Sequence, residues 1–112
     1  SSSGIQKRDF LYISDAIDAF IKTLLNKNSD GQILNIGYGK SIQLKKIMYH
    51  VGKITNFFEP SFGKVKLRKD EALDIYPEIN KAKKTIKWQP KINWQEGILR
   101  TIKYFKLKNA NK

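Results

Sequence analysis

Apolar and polar positions along the chain follow two periods. From Arg8 to Ile13 they alternate, with Phe10 and Tyr12 on one face and Leu11 and Ile13 on the other. Both faces are largely apolar, which predicts a strand covered on both sides. The period then lengthens. Ile17, Phe20, Ile21, Leu24 and Leu25 recur at helical spacing and predict an amphipathic helix. Ser14 or Asp15 can cap it, and Asp18 is favourable in its first turn. The polar run Asn26 to Gly31 ends it. Ile33 to Ile36 reads as a second short strand running into Gly37-Tyr38-Gly39. Leu44, Ile47, Met48 and Val51 then mark a second amphipathic helix that stops near Gly52, with Ser41 as the best capping residue.

The second half is more broken. Thr55 to Gly63 holds Pro60, Gly63 and the phenylalanines Phe57, Phe58 and Phe62, a loop with hydrophobic anchors. Val65 and Leu67 alternate with lysines as a short half-exposed strand. Arg68 to Pro77 is irregular or extended. Asn80 is a good cap for a short helix over Lys81 to Ile86. Trp88, Pro90 and Ile92 make a turn with an aromatic plug. Asn93-Trp94-Gln95-Glu96 has the spacing of a capping box, and Trp94, Ile98, Ile102 and Phe105 form the last helical stripe. The expected fold class is α/β, an α+β fragment of about four helices and two to three short strands. It forms one unit over 1–112, with 1–7 as a linker or cut loop and 106–112 as a frayed tail.

Composition narrows the partners. No stretch approaches the roughly 18 apolar residues of a membrane span, and the start of the chain has no apolar run of the signal-peptide kind. There is no cysteine, so disulfides and thiolate metal sites are excluded and a cytoplasmic, reducing location is expected. The formal charge is +12, which raises a nucleic-acid partner. But lysine supplies nearly all of it, within a bias toward Lys, Ile and Asn that runs along the whole chain. Nucleic-acid readers favour arginine for bidentate contacts. A solvated lysine surface is the simpler reading, and a basic nucleic-acid-binding or structural module is the alternative.

Several motifs are decoys. Gly39-Lys40-Ser41 after a strand invites a phosphate loop, but Leu34 stands where that motif needs its first glycine. Tyr49 with Lys53, and Tyr104 with Lys108, have the spacing that sets a lysine beside a phenol. In a chain this rich in lysine such pairs arise by chance. His50 is the only histidine, and no other ligand stands at metal-site spacing. No catalytic or metal residue is assigned. Arg8 and Arg68 remain. Each stands at the end of a predicted strand, and the guanidinium fork matches phosphate oxygens. Two such arginines could converge on a diphosphate; surface ion pairs are the alternative.

Five segments in order resemble one family. Gly4 to Asp15 resembles the G-x-Q-x-R-D-F-(I/V)-(Y/H)-V-x-D segment of the extended short-chain dehydrogenases/reductases, the NAD(P)-dependent nucleotide-sugar epimerases and dehydratases. Asn35 to Gly39 resembles their N-(I/V)-G-x-G, and Arg68 to Glu71 their R-x-G-(D/E). Asn80-Lys81-Ala82 with Trp88-Gln89-Pro90, and Glu96-Gly97-Ile98 with Thr101-Ile102, resemble two further segments.

The resemblance covers nearly the whole chain but only the C-terminal third of that family. It therefore implies a substrate-binding portion of a Rossmann enzyme, without the cofactor domain, the glycine-rich dinucleotide loop or the catalytic tyrosine–lysine pair. Such a portion is not expected to be catalytic alone. The resemblance further implies that Arg8 and Arg68 hold the diphosphate of a nucleoside-diphosphate sugar and that Glu71 lies by the ribose. NAD(P) is implied for the full-length enzyme, with no binding motif here. Two positions depart from the pattern. Asp70 stands for the glycine of R-x-G-(D/E). Lys87 stands for the glycine before Trp88, so either a left-handed lysine costs about 1 kcal/mol or the helix ends differently. If residues 15–36 pack on the cofactor domain, the chain alone exposes an apolar face and either self-associates or needs its N-terminal partner.

Overall fold

The computed structural model describes residues 5–57 and 76–110. Among them the order is strand β1 (Lys7–Asp9), helix α1 (Ile13–Leu25), a 3-10 turn (Lys27–Ser29), strand β2 (Ser41–Gln43), helix α2 (Leu44–Thr55), helix α3 (Asn80–Ile86) and helix α4 (Trp94–Ala110). The architecture is α/β, four helices with a two-stranded antiparallel sheet. Lys7 faces Gln43, Arg8 faces Ile42 and Asp9 faces Ser41. The Leu44 amide extends the ladder by donating to the Gln6 carbonyl at 2.9 Å. No helix among the described residues is long and apolar enough to cross a membrane. The strand predicted at Val65 and Leu67 lies outside them.

The helices follow the sequence pattern more closely than the strands do. The ladder ends at Asp9, and the alternating residues Phe10 to Tyr12 lead without pairing into α1. The predicted strand at 33–36 has the right alternation, with Leu34 and Ile36 turned inward and Asn35 outward, but it joins no ladder among the described residues. Ser41, expected as a cap, is instead the first residue of β2. α2 is preceded by Gln43, whose side chain makes no capping bond, and it runs past Gly52 to end at left-handed Asn56.

Cap chemistry is shifted by one residue in places. Asn80 is the first residue of α3, and the carboxylate of Glu78 receives its amide at 2.7 Å. Asn93 caps α4, its Oδ1 accepting from the Glu96 amide at 2.8 Å. The Glu96 carboxylate pairs with Arg100 at 3.1 Å rather than reaching back. α4 continues through Ala110, its last turns exposed where the sequence predicts fraying.

The core is a plug of aromatic and aliphatic side chains around Trp88, which is 0% exposed. Ile79, Ala82 and Ile86 of the α3 region and Ala19 of α1 surround it, with Leu11, Leu34 and Ile36 packed at the edge. The indole N–H, too costly to bury unpaired, donates to the Asp15 carbonyl at 3.0 Å. The far ends of α1 and α3 are tied by Asn26, whose Nδ2 donates to the Thr85 carbonyl at 3.2 Å.

α1 buries the side its stripe does not occupy. Asp15 and Ala19 face the core, while Ile17 is 49%, Phe20 70% and Leu24 84% exposed, with Ile13, Ile21 and Leu25 on the same open side. A stripe of this size on a helix is built to be covered.

Candidate nucleotide-sugar site

Arg8 sits in the middle of β1, half-buried, with Nη1 donating to the Lys7 carbonyl at 2.7 Å. Its strand is held in place by the next residue. The Asp9 carboxylate accepts the backbone amides of Tyr38 at 2.8 Å and Gly39 at 2.7 Å, one on each oxygen. Two charge-assisted bonds thus pin the 37–39 turn against the Arg8 strand. This turn is the phosphate-loop decoy of the sequence. Two of its amides already serve an internal carboxylate, so it is not a phosphate cradle.

The glycines of the turn are required by close approach. A Cβ on Gly37 would collide with the Pro77 ring and stand 3.0 Å from Asp9 Oδ1. A Cβ on Gly39 would meet the Ile79 side chain at 2.9 Å, and its φ of +87° disfavours any L side chain. Arg8, the 37–39 turn and the 77–79 segment therefore form one packed unit.

Asp15 does the same work at the other end of the segment. It does not cap α1. Its buried Oδ2 accepts the amides of Lys91 at 3.0 Å and Ile92 at 2.9 Å, so the turn after Trp88 is tied to the start of α1. Tyr12 lies against Gly97 of α4, whose Cβ would come 3.2 Å from the ring, with the Arg100 guanidinium 5.9 Å from the ring centre.

Of the three site residues expected from the sequence, the structure describes Arg8. Arg68 and Glu71 lie outside the described residues. The residues that sequence reasoning passed over are the carboxylates. Asp9 and Asp15 both belong to the R-D-F segment, and the available signal was a charge inside an otherwise apolar strand and one at a helix start backed by a tryptophan turn. The contacts of the two tyrosines in these spacings run to other residues as well. Tyr49 faces Lys45 at 5.9 Å, and Tyr104 lies edge-on to Phe105 at 5.4 Å.

Comparison with known proteins agrees with this architecture. The model of the NAD dependent epimerase/dehydratase family matches residues 1–37. The dTDP-D-glucose 4,6-dehydratase of Mus musculus is 33% identical over 120 residues, an alignment covering 98% of this chain and 34% of that protein. The chain matches the C-terminal part of NAD-dependent epimerase/dehydratase family proteins. A putative UDP-glucose 4-epimerase of Methanocaldococcus jannaschii is 34% identical over 95% of the chain and 33% of its own length.

Among solved structures, the UDP-glucose 4-epimerase of Thermotoga maritima with UDP-glucose superimposes with a TM-score of 0.83 at 26% identity, over 94% of this chain and 33% of that one. The UDP-glucuronic acid 4-epimerase of Bacillus cereus, in complex with UDP-glucuronic acid and NAD, gives 0.73 at 25% identity, over 95% and 34%. The chain spans about a third of the length of the curated relatives it matches and corresponds to their C-terminal part.

Proposed function

We propose that this chain is the nucleotide-sugar-binding portion of an NAD(P)-dependent nucleoside-diphosphate-sugar epimerase, dehydratase or reductase. Arg8 supports the reading most directly. It is the scarce basic residue in a lysine-rich chain, it is half-buried, and its strand is braced by the Asp9 clamp rather than left to float in solvent. A bound diphosphate gains from a guanidinium whose backbone is already ordered, because less freedom is lost on binding. Arg68 supplies the second guanidinium, and Glu71 the contact to the ribose.

The cofactor, held elsewhere in the complete enzyme, supplies hydride chemistry. This portion orients the sugar nucleotide and shields it from water. The apolar side of α1 docks on the cofactor domain, consistent with the exposure of Phe20 and Leu24. A cytoplasmic location goes with the reading, as does the absence of cysteine.

In the complete enzyme, Arg8→Ala and Arg68→Ala are each expected to weaken nucleotide-sugar binding by about 1.5–3 kcal/mol, the cost of a lost charge-assisted bond. Steady-state kinetics and calorimetric titration with UDP- and dTDP-sugars read this out. Unchanged KM and kcat in both variants overturn the assignment.

A further inference from the structure

The nucleotide-sugar reading leaves α2 without a role, yet the charge on and around α2 is all of one sign. From Gly31 to Phe58 the sequence holds Lys40, Lys45, Lys46 and Lys53 and no aspartate or glutamate. Lys45 and Lys46 stand in the first turn of α2, which contains no acidic residue. Cations there oppose the helix dipole, an arrangement that helix stability alone does not favour.

These side chains border a hollow. Lys45, Lys46, Tyr49, His50 and Lys53 line one wall of a groove of about 480 Å³, and Trp94 at the start of α4 lines the other. The His50 ring meets the Trp94 ring edge-to-face at 5.1 Å. The lining thus combines aromatic rings with lysines, and its size lies within the roughly 300–1,000 Å³ of small-molecule sites. No carboxylate is among its described lining residues. A second lysine-lined hollow, by Lys83, Lys87 and Lys91, likewise shows no carboxylate among its described lining residues, but its one ring, Trp88, is fully buried.

We propose that the α2–α4 groove binds a small anion that joins a flat ring to a phosphate, an aryl or nucleoside monophosphate. The ring lies against Trp94 and His50, where aromatic contact and water displacement favour it. The phosphate lies among the lysines, which act as point charges that need no fixed fork. The groove contains neither Arg8 nor the 37–39 turn, so the proposal stands or falls apart from the nucleotide-sugar reading.

The 112-residue chain itself carries the probes. His50 is its only histidine, and Trp94 is the tryptophan with solvent access, since Trp88 is fully buried. AMP is expected to shift the His50 ring-proton resonances and change Trp94 fluorescence, both saturably. Adenosine and inorganic phosphate, each supplying one half of the ligand, bind about tenfold or more weakly. Lys46→Ala and Lys53→Ala each weaken AMP about tenfold, with thermal melting showing that both remain folded. Arg8→Ala leaves the titration unchanged. Three results overturn the site: no saturable response to millimolar AMP, an undiminished response in the Lys46→Ala/Lys53→Ala double variant, or a response to an oligo-dT strand with none to AMP.

Discussion

Lys87 adopts φ 56° and ψ 39° at the end of α3. Of the two outcomes open at this position, the chain takes the left-handed cap and bears its strain. A glycine there would remove the Cβ clash of the left-handed region. Lys87→Gly is therefore expected to raise stability by about 1 kcal/mol, about 4–8 °C in Tm. Lys84→Gly, three residues earlier, exposed and within the last turn of α3, is expected to lose about as much. Thermal melting of the two variants separates cap strain from general helix propensity, because the two changes carry opposite signs. The position of the strain was legible in the sequence. Its resolution was not, since an early helix end and a left-handed lysine satisfy the same pattern.

At the scale of elements, α1 is held by its first turn. Asp15 is 4% exposed and serves two amides across the molecule. Asp15→Ala leaves the Lys91 and Ile92 amides without their acceptor, with an expected loss of about 2–4 kcal/mol. Asp15→Asn keeps one acceptor oxygen and loses less. Urea unfolding measures both; equal stability of all three proteins would mean that the Trp88 turn holds without the carboxylate. Helix periods were readable because each follows from residues within a few turns. The strands were not, because a ladder needs a partner. Ile33 to Ile36 alternates correctly and pairs with nothing among the described residues, whereas Ser41 to Gln43 carries little strand signal and pairs with β1.

For the molecule as a whole, the open side of α1 is expected to govern behaviour in solution. Side chains such as Phe20 and Leu24 leave more apolar surface exposed on one helix than an isolated monomer comfortably carries. The chain by itself is expected to self-associate at micromolar concentration. A Phe20→Glu/Leu24→Glu variant is expected to sediment as a monomer with an unchanged melting temperature, because neither side chain supports the core. A wild-type chain that sediments as a monomer and melts cooperatively would contradict the expectation. The same surface is the one the proposed cofactor domain would cover, so addition of that domain should suppress self-association.

By itself the sequence determined the four helices, the apolar stripes of α1, α2 and α4 and the glycines of the 37–39 turn. These are local: periodicity and a missing Cβ are written within a few residues. Tertiary structure decided which way the α1 stripe points. A period of 3.6 states that one face is apolar and says nothing of what covers it. Ala19, small enough to let α3 approach, and Asp15, bonded to a turn 76 residues away, bring the opposite face inward. The stripe is left outside because none of the described elements packs over it.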